Sequence, residues 1–208
     1  DSHAILHRAY HALPDFTSGK GEPTGALYGL VLMLLKITNE LKPDYIGAAR
    51  DLPGKTHRHE AFEAYKATRM KADDALIAQL ERAPEVFEAF GIPVYAYPGF
   101  EADDILGTIV REVSGRSDLK TIIASGDMDT LQLVAPRVSV YTLRKGLSDT
   151  VLYDAAAVEA RYGFLPERVI DYKALSGDPS DNIPGVKGIG EKTATALIQE
   201  YGSLEDIY

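Results

Sequence analysis

The sequence predicts an α/β fold with a mainly parallel central sheet flanked by helices. Short apolar runs, typical of buried strands, alternate with longer segments in which apolar residues recur at helical spacing. Proline and glycine punctuate these segments where helices start or stop. Because strands that alternate with helices connect most simply in the same direction, this order favours parallel pairing within one sheet.

The first half of the chain contributes two strands, each preceded by a helix. Pro23 precedes a segment rich in Leu, Val and Met, and Pro43 ends it. Gly91 ends the second helical segment. The predicted elements are a helix over residues 25–41, a strand over 45–49, a helix over 75–90 and a strand over 94–97.

The second half continues the alternation and finishes in a glycine-punctuated loop and a helix. Ile105, Ile109 and Val113 show the apolar spacing of the first of these helices. The predicted elements are a helix over residues 102–113, strands over 121–124 and 138–143, and helices over 155–162, 166–175 and 191–201.

Composition excludes several classes of protein. The chain has no cysteine, so it has neither a disulfide framework nor a thiolate nucleophile. The apolar run at residues 31–35 is far shorter than the roughly 18 residues of a membrane-spanning helix, and no secretory signal stands at the start. We therefore expect one globular domain over residues 1–208 without membrane contact. The net charge of −9 argues at first against nucleic acid as a partner.

Acidic residues follow three of the predicted strands. Asp51 follows the first strand, Glu101 the second and Asp127 the third. Because ligands bind beyond the carboxyl ends of the strands in open α/β sheets, we expect these side chains at one edge. A further acidic pair lies in the sequence Gly-Asp-Pro-Ser-Asp-Asn. The nine candidate acids are Asp1, Asp51, Glu101, Asp103, Asp104, Asp127, Asp129, Asp178 and Asp181.

Each acidic group alone has an ordinary structural explanation. Acids in the first turn of a helix complement its dipole, and aspartates stabilise turns or cap helices. Together, however, clustered carboxylates repel each other and would partly protonate unless cations compensate. Oxygen ligands without His or Cys suit Mg²⁺ or Mn²⁺, and two such ions about 4 Å apart are the arrangement used in phosphodiester hydrolysis. We therefore predict a site for two or more Mg²⁺ or Mn²⁺ ions.

A basic segment, residues 52–71, contrasts with the acidic chain around it. It holds five Lys or Arg residues against two Glu residues, with Tyr65 among them. A solvated helix face would explain this charge. A segment that grips phosphates beside the acidic site, with an aromatic side chain for base stacking, would explain it as well. The basic residues are Lys55, Arg58, Lys66, Arg69 and Lys71.

A glycine-punctuated loop, residues 185–190, leads into the last helix. Its glycines would let backbone N–H groups approach a phosphate at the start of that helix. A plain helix–turn–helix corner is the alternative, but the position of the loop directly after the last acidic pair favours contact with the backbone of a DNA duplex. The candidate contacts are Gly185, Lys187, Gly188, Gly190 and Lys192.

These motifs together resemble the 5′-nuclease domains of bacterial DNA polymerase I, which are members of the flap endonuclease family. The resemblance extends over the whole chain. It rests on Asp1 with residues 8–11, residues 21–24, Asp51 with residues 54–58, Tyr65-Lys66 with Arg69, and residues 101–104, 126–129, 177–185 and 188–193.

The resemblance implies a fold and a division of the site. The fold would be PIN-like, with an α/β core over residues 1–165, a helical arch at about 52–85 and a helix–turn–helix element over 166–208. The first ion would lie among Asp51, Glu101, Asp103 and Asp104, with Asp1 nearby. The second would lie among Asp127, Asp129, Asp178 and Asp181. The residues that would hold the 5′ strand and the scissile phosphate are Arg8, Tyr65, Lys66 and Arg69, and the glycine loop would grip the downstream duplex with a bound K⁺.

The resemblance also implies a function. The chain would be a metal-dependent 5′-3′ exonuclease and 5′-flap endonuclease that hydrolyses DNA or RNA-primer phosphodiesters in replication and repair. It would act as a monomer on DNA with a 5′ flap, a nick or a 5′ end, in the bacterial cytoplasm with the nucleoid. The pattern lacks a strand before Asp1, so we expect a fragment of a longer chain that includes a polymerase domain.

Three alternatives remain open at this stage. The chain could be a free-standing 5′ nuclease or a non-catalytic, structure-specific DNA-binding module. It could also be a phosphatase of the haloacid dehalogenase type with Asp127 as nucleophile, although most of the acids would then have no role. Nine of the 31 acidic residues belong to the candidate site, and the remaining 22 equal the 22 Lys and Arg residues. The net charge of −9 is therefore the charge of that site, and it does not argue against nucleic acid.

Overall fold

The computed structural model describes residues 1–146 and 149–208, which form a mixed α/β structure. The helices are α1 (Ser2–Ala12), α2 (Gly25–Leu41), α3 (His57–Ala61), α4 (Asp74–Ala89), α5 (Ala102–Ser114), α6 (Ala155–Tyr162), α7 (Val169–Ser176), α8 (Glu191–Tyr201) and α9 (Leu204–Ile207). The strands are β1 (Ala48–Ala49), β2 (Val94–Tyr95), β3 (Thr121–Ala124), β4 (Val138–Lys145) and β5 (Asp149–Tyr153). Two short 3-10 helices cover Met128–Leu133 and Pro166–Arg168.

The described strands form two small sheets. β1 pairs in parallel with β2, while β4 pairs in parallel with β3 and antiparallel with β5. The expected α/β class is confirmed, but the expectation of one continuous sheet is wrong for the described residues. The start of α1 fills the junction between the sheets. The Asp1 nitrogen donates to the Ala124 carbonyl at 3.0 Å, and the Asp51 amide donates to His3 Nδ1 at 3.3 Å.

The predicted elements are largely present, and the differences have local causes. β1 and β2 are only two residues long, and the predicted strand residues Tyr45 and Tyr97, which are 85% and 63% exposed, lie outside them. The sequence pattern does not predict α1 or β5. α1 begins where Asp1 Oδ1 accepts the N–H of Ala4 at 3.1 Å, which is a side-chain cap.

Two apolar clusters hold the elements together. The first joins α1, α2 and α4 to β1, with Leu6, Leu30 and Leu76 almost fully buried. The second joins β3, β4 and β5 to the C-terminal helices, with Val140 and Ile198 at its centre. Because α7 and α8 pack in this second cluster, the segment that carries the glycine loop is fastened to the sheet that ends at Asp127.

Residues 74–85, which the resemblance assigns to the arch, belong to the core instead. They form the first part of α4, which packs against α2. Gln79 of α4 is 2% exposed, and its Oε1 accepts the amide hydrogens of Ala26 and Leu27 at 2.7 and 3.3 Å. This side chain satisfies the open N-terminus of α2, where Thr24 makes no side-chain cap. The exposed basic segment therefore ends before α4.

Membrane-spanning helices were sought in residues 1–146 and 149–208. No helix in these ranges combines the length and the apolar character that crossing a membrane requires.

Candidate active site

A cavity of about 640 Å³ lies at the junction of the two sheets. Its walls include carboxylates from five separate segments of the chain, brought together by the ends of β1, β2, β3 and α7 and by the start of α1. Eight of the nine candidate acids line it: Asp1, Asp51, Glu101, Asp103, Asp127, Asp129, Asp178 and Asp181.

Hydrogen bonds from neighbouring elements orient several of these carboxylates. Asp51 Oδ1 accepts the N–H of Ala102, the first residue of α5, at 2.7 Å. Ser125 Oγ donates to Asp1 Oδ2 at 2.7 Å and accepts the amide hydrogen of Asp127 at 3.0 Å. The ends of β1 and β3 are thereby held at fixed positions around the cavity.

Four of the acids have no Lys or Arg partner among the described residues and are called here the unpaired carboxylates: Asp1, Asp51, Asp103 and Asp127; His3 Nδ1 lies 3.6 Å from Asp51 Oδ2. No Lys or Arg nitrogen of the described residues lies within 4.0 Å of their carboxyl oxygens. Burial, followed by the charges of Asp127 and Asp51, raises the pKa of Asp103 to about 6. This crowding of negative charge is what a bound cation relieves.

The other five acids form ion pairs and are called here the paired carboxylates: Glu101, Asp104, Asp129, Asp178 and Asp181. Lys66 Nζ lies 2.8 Å from Glu101 Oε1, and Arg69 pairs with Asp181. Lys173 Nζ lies 2.7 Å from Asp129 Oδ1 and 2.9 Å from Asp178 Oδ2. Burial would raise the pKa of Asp178, but hydrogen bonds from Ser180 and Lys173 outweigh it and lower that pKa to about 2.

Asp104, unlike the other eight candidate acids, lies outside the cavity. Arg58 donates to both of its carboxyl oxygens, at 2.7 and 2.8 Å. Asp104 Oδ2 also accepts the N–H of Glu101 at 2.9 Å, which closes the first turn of α5. Partial burial raises the pKa of Asp104, but these hydrogen bonds outweigh it and hold that pKa below its ordinary value. For this acid, the structure shows the helix-capping arrangement.

The loop of the basic segment is fastened to the loop that carries the last acidic pair. Lys66 has a left-handed backbone, with φ of 56°, and its N–H donates to the Asp181 carbonyl at 2.9 Å. Asn182 Nδ2 donates to the Ala64 carbonyl at 2.7 Å, and Arg69 Nε donates to the Ser180 carbonyl at 3.1 Å. The Lys66 and Arg69 side chains are therefore held at the cavity wall.

Tyr65 is not available for base stacking, which corrects the expectation for the aromatic side chain of the basic segment. It is only 5% exposed, and its hydroxyl lies 3.0 Å from both Glu101 Oε2 and Asp181 Oδ2. Burial and the charges of these two carboxylates raise the pKa of Tyr65, so its hydroxyl stays protonated. The ring lies inside the wall of the site, where it orients two of the acids.

Arg8 does not reach the cavity. Its Nη2 donates to the Leu143 carbonyl at 3.0 Å, and it is absent from the cavity walls. His3 and His7, four residues apart on α1, line the cavity instead. Arg8 shares a helix face with Ala4, which lines the cavity, but its guanidinium extends to the Leu143 carbonyl instead.

The candidate duplex-binding residues also lie away from the cavity, at the surface. Lys55, Lys187 and Lys192 are exposed. A Cβ added at Gly188 or Gly190 would meet no atom within 4 Å, so the backbone there is open to a ligand. Gly185 differs, because a Cβ there would lie 2.4 Å from the nitrogen of Gly177. Its lack of a side chain serves close packing against the end of α7, not the approach of a phosphate.

Sequence reasoning missed three titratable residues of the cavity: Lys173, His3 and His7. Lys173 stands five residues before Asp178 in a segment that the pattern predicts to be helical. This helical position close to Asp178 was the feature of the sequence that could have identified Lys173 as a site residue. The two histidines could have been found only if α1 had been predicted as a helix. Residues four positions apart in a helix lie on one face, as His3 and His7 do.

The donor set fits divalent cations that prefer oxygen ligands. The acidic side chains of the cavity offer carboxylate oxygens as ligands, and the chain has no cysteine that could offer sulfur. Among residues 1–146 and 149–208, no three His, Asp or Glu side chains are already arranged around one point as ligands. Basic side chains stand between several of the carboxylates, so ion binding at the paired carboxylates requires those ion pairs to open.

Two family models together match the whole chain. A 5′-3′ exonuclease N-terminal resolvase-like domain matches residues 1–163, and a 5′-3′ exonuclease C-terminal SAM fold matches residues 164–208. DNA polymerase I of Caldicellulosiruptor bescii is 44% identical over 210 residues, which cover 100% of this chain and 25% of that protein. The chain thus spans about a quarter of the length of the curated relatives it matches.

Solved structures of a bacteriophage enzyme are similar in fold. T5 5′-exonuclease with bound divalent metal ions (zinc) is 25% identical, with a TM-score of 0.78 over 100% of this chain and 76% of that one. A complex of bacteriophage T5 D15 flap endonuclease with DNA and metal ions is 25% identical, with a TM-score of 0.77 over 100% of this chain and 75% of that one.

Proposed function

The chain belongs to the 5′-3′ exonuclease family, and from that premise we propose that its acidic cavity is the active centre of a metal-dependent 5′ nuclease. The enzyme would hydrolyse phosphodiester bonds at DNA 5′ ends and 5′ flaps. One observation carries the proposal: carboxylates from five segments meet in one cavity whose wall also presents Lys66 and Arg69. Membership of this family argues against the alternative of a phosphatase of the haloacid dehalogenase type.

We propose that the cavity carboxylates hold two divalent ions, Mg²⁺ or Mn²⁺. Asp51, Glu101 and Asp103, with Asp1, would hold one. The other ligand set would be Asp127, Asp129, Asp178 and Asp181. When bound, the ions would lower the pKa of the attacking water and offset the charge that develops on the phosphate. Asp104, fixed by Arg58, would position Glu101 through the Glu101 amide.

The basic wall of the cavity would position the scissile phosphate. The Lys66 ammonium and the Arg69 guanidinium now contact Glu101 and Asp181, and both would exchange these carboxylates for phosphate oxygens when a strand enters. The protonated hydroxyl of Tyr65 would keep Glu101 and Asp181 oriented during that exchange.

The glycine loop would bind the downstream duplex. Gly188, Gly190 and the N-terminus of α8, which no side chain caps, would contact a backbone phosphate, and K⁺ is the ion we propose there. Lys187 and Lys192 would add non-specific attraction, and Lys55 would contact the 5′ strand.

The wider setting is likewise a proposal. We propose substrates with a 5′ flap, a nick or an RNA primer, action as a monomer in replication and repair in the bacterial cytoplasm, and a polymerase domain in the same full-length protein. The bacterial DNA polymerase I relatives and the DNA-bound structures of similar fold support these proposals.

Cleavage of a labelled 5′-flap substrate in Mg²⁺ or Mn²⁺ tests the function. We expect cleavage by the chain and losses of roughly a thousandfold in Asp51→Asn and Asp127→Asn, because each variant removes a metal ligand. Asp44→Asn, at an exposed acid outside the cavity, is the matched control. Unimpaired cleavage by both site variants would contradict the metal assignment. Flap binding in Ca²⁺ without any cleavage in Mg²⁺ would favour a non-catalytic module.

A further inference from the structure

Lys173 of α7 bridges two carboxylates of the cavity. Its Nζ lies 2.7 Å from Asp129 Oδ1, at the end of β3, and 2.9 Å from Asp178 Oδ2, which follows α7. The side chain is 34% exposed and lines the same cavity as the acids. Two of the three N–H groups of the ammonium are used in these contacts.

This position is incompatible with a divalent ion bound by the same two carboxyl oxygens, Asp129 Oδ1 and Asp178 Oδ2. Mg²⁺ holds its oxygen ligands at about 2.0–2.1 Å, which is closer than the ammonium stands. An ion between Asp129 and Asp178 would occupy the space that Nζ fills, and its charge would repel the ammonium. Both hydrogen bonds of Lys173 must therefore break before such an ion can bind.

We infer that Lys173 is an internal counter-cation, which a divalent ion must displace before it binds between Asp129 and Asp178. The inference rests on the proposed metal-dependent function. The unpaired carboxylates Asp51, Asp103 and Asp127 hold no such cation. Ions therefore bind in sequence, first at the unpaired carboxylates and then, more weakly, at the pair that Lys173 bridges.

The direction in which the affinity for the ion changes when Lys173 is removed separates this role from a merely structural one. If Lys173 only held Asp129 and Asp178 in place, its removal would weaken ion binding there. If Lys173 competes with the ion, its removal leaves two carboxylates that repel each other, and the affinity for the ion rises.

Calorimetric titration of the whole chain with MnCl₂, without nucleic acid, measures the direction of this change. We expect two binding events, the weaker of which is strengthened roughly tenfold or more in Lys173→Met, because a nearby positive charge is removed. Lys173→Arg keeps the charge and should bind the weaker ion no more tightly than the native chain. Lys20→Met removes an exposed lysine outside the cavity and should change neither event.

Thermal unfolding gives a second measurement that does not depend on activity. In EDTA, Lys173→Met should melt at a lower temperature than the native chain, because Asp129 and Asp178 are no longer neutralised. Saturating Mn²⁺ should raise its melting temperature more than it raises that of the native chain. An equal rise in both proteins would contradict the counter-cation role.

Asp178→Asn separates failure of this inference from failure of the proposed function. If Asp178→Asn abolishes the weaker event while Lys173→Met leaves it unchanged or weakens it, the metal site stands and the role of Lys173 is overturned. Tighter binding in Lys173→Arg would overturn it too. If Asp178→Asn leaves both events intact, no ion binds between these carboxylates, and the metal assignment falls together with the inference.

Discussion

The unpaired carboxylates share one cavity with all the paired carboxylates except Asp104, but the two groups balance their charge in different ways. Asp51, Asp103 and Asp127 approach one another without a lysine or arginine in contact, and the pKa of Asp103 is raised to about 6. The paired carboxylates are neutralised by Arg58, Lys66, Arg69 and Lys173, which come from the basic segment and α7. The unpaired carboxylates can therefore bind an external cation directly, whereas the paired carboxylates are already neutralised by basic side chains of the same protein.

The largest effect should distinguish two adjacent acids, one from each group. Asp103→Asn should lower flap cleavage roughly a thousandfold, because Asp103 is a proposed ligand. Asp104→Asn should lower it about 10- to 100-fold, because Asp104 acts through the position of Glu101. Cleavage rates measured at saturating Mg²⁺ show which variant loses more activity. Equal losses in the two variants would contradict the distinction between a metal ligand and a positioning residue.

Lys66 pairs with Glu101, and substitutions of Lys66 should have separate effects on the rate of cleavage and on the stability of the folded protein. Lys66→Ala and Lys66→Gly should both lower kcat about a hundredfold, since each loses the phosphate contact, while Mn²⁺ binding is retained. Because φ at this position is 56°, the glycine variant should be more stable than the alanine variant by about 1 kcal/mol. Single-turnover rates and urea unfolding measure the two effects, and unchanged kcat in both variants would contradict the role of Lys66.

The pH dependence of stability should have opposite signs at the two groups. The folded-state pKa of Asp103, about 6, lies above the ordinary value of 3.8, so its ionisation destabilises the metal-free protein above pH 6. Asp103→Asn should remove this penalty and stabilise the metal-free protein at pH 7.5 by about 1–3 kcal/mol, a gain that shrinks as the pH falls from 6 to 4. Urea unfolding in EDTA at several pH values checks the result. Destabilisation at pH 7.5 would show that Asp103 is not crowded by negative charge.

The smallest effect should come from opening the ion pair between Arg58, in the cavity wall, and Asp104. Arg58→Met leaves Asp104 without its partner and should destabilise the protein by about 1 kcal/mol at pH 7, because the pair is partly exposed. The pKa of Asp104 is depressed by Arg58, so this loss should disappear as the pH falls below about 4. Chemical unfolding at pH 7 and pH 3 provides the test, and an equal loss at both values would exclude an electrostatic origin.

The sequence predicts the composition of the acidic site better than its pairing. The order of strands and acids was enough to expect that Asp51, Glu101 and Asp127 would meet, because the ends of parallel strands lie at one edge. Which acids find a basic partner depends on helical faces and loop contacts between distant residues. Lys173 illustrates this limit, because it pairs with an acid 44 positions earlier and another five positions later, which only the packing of α7 brings together.

The errors of sequence reasoning have similar causes. Arg8 was assigned without a helix at residues 2–12, so its direction relative to His7 was unknown. The close approach of Gly185 to Gly177 is a tertiary contact without a local signal. The resemblance places the first half of α4 in the arch, whereas its buried face packs on α2. Residue types were predictable in these regions, but the directions of their side chains were not.

Anomalous diffraction from crystals of the chain soaked in MnCl₂ tests the central claim most directly. The first ion should bind at unpaired carboxylates, so we expect an anomalous peak among the carboxyl groups of Asp1, Asp51 and Asp103, present at lower Mn²⁺ concentration than any peak beside Asp129 and Asp178. A cavity without anomalous density at a Mn²⁺ concentration that supports cleavage would contradict the account.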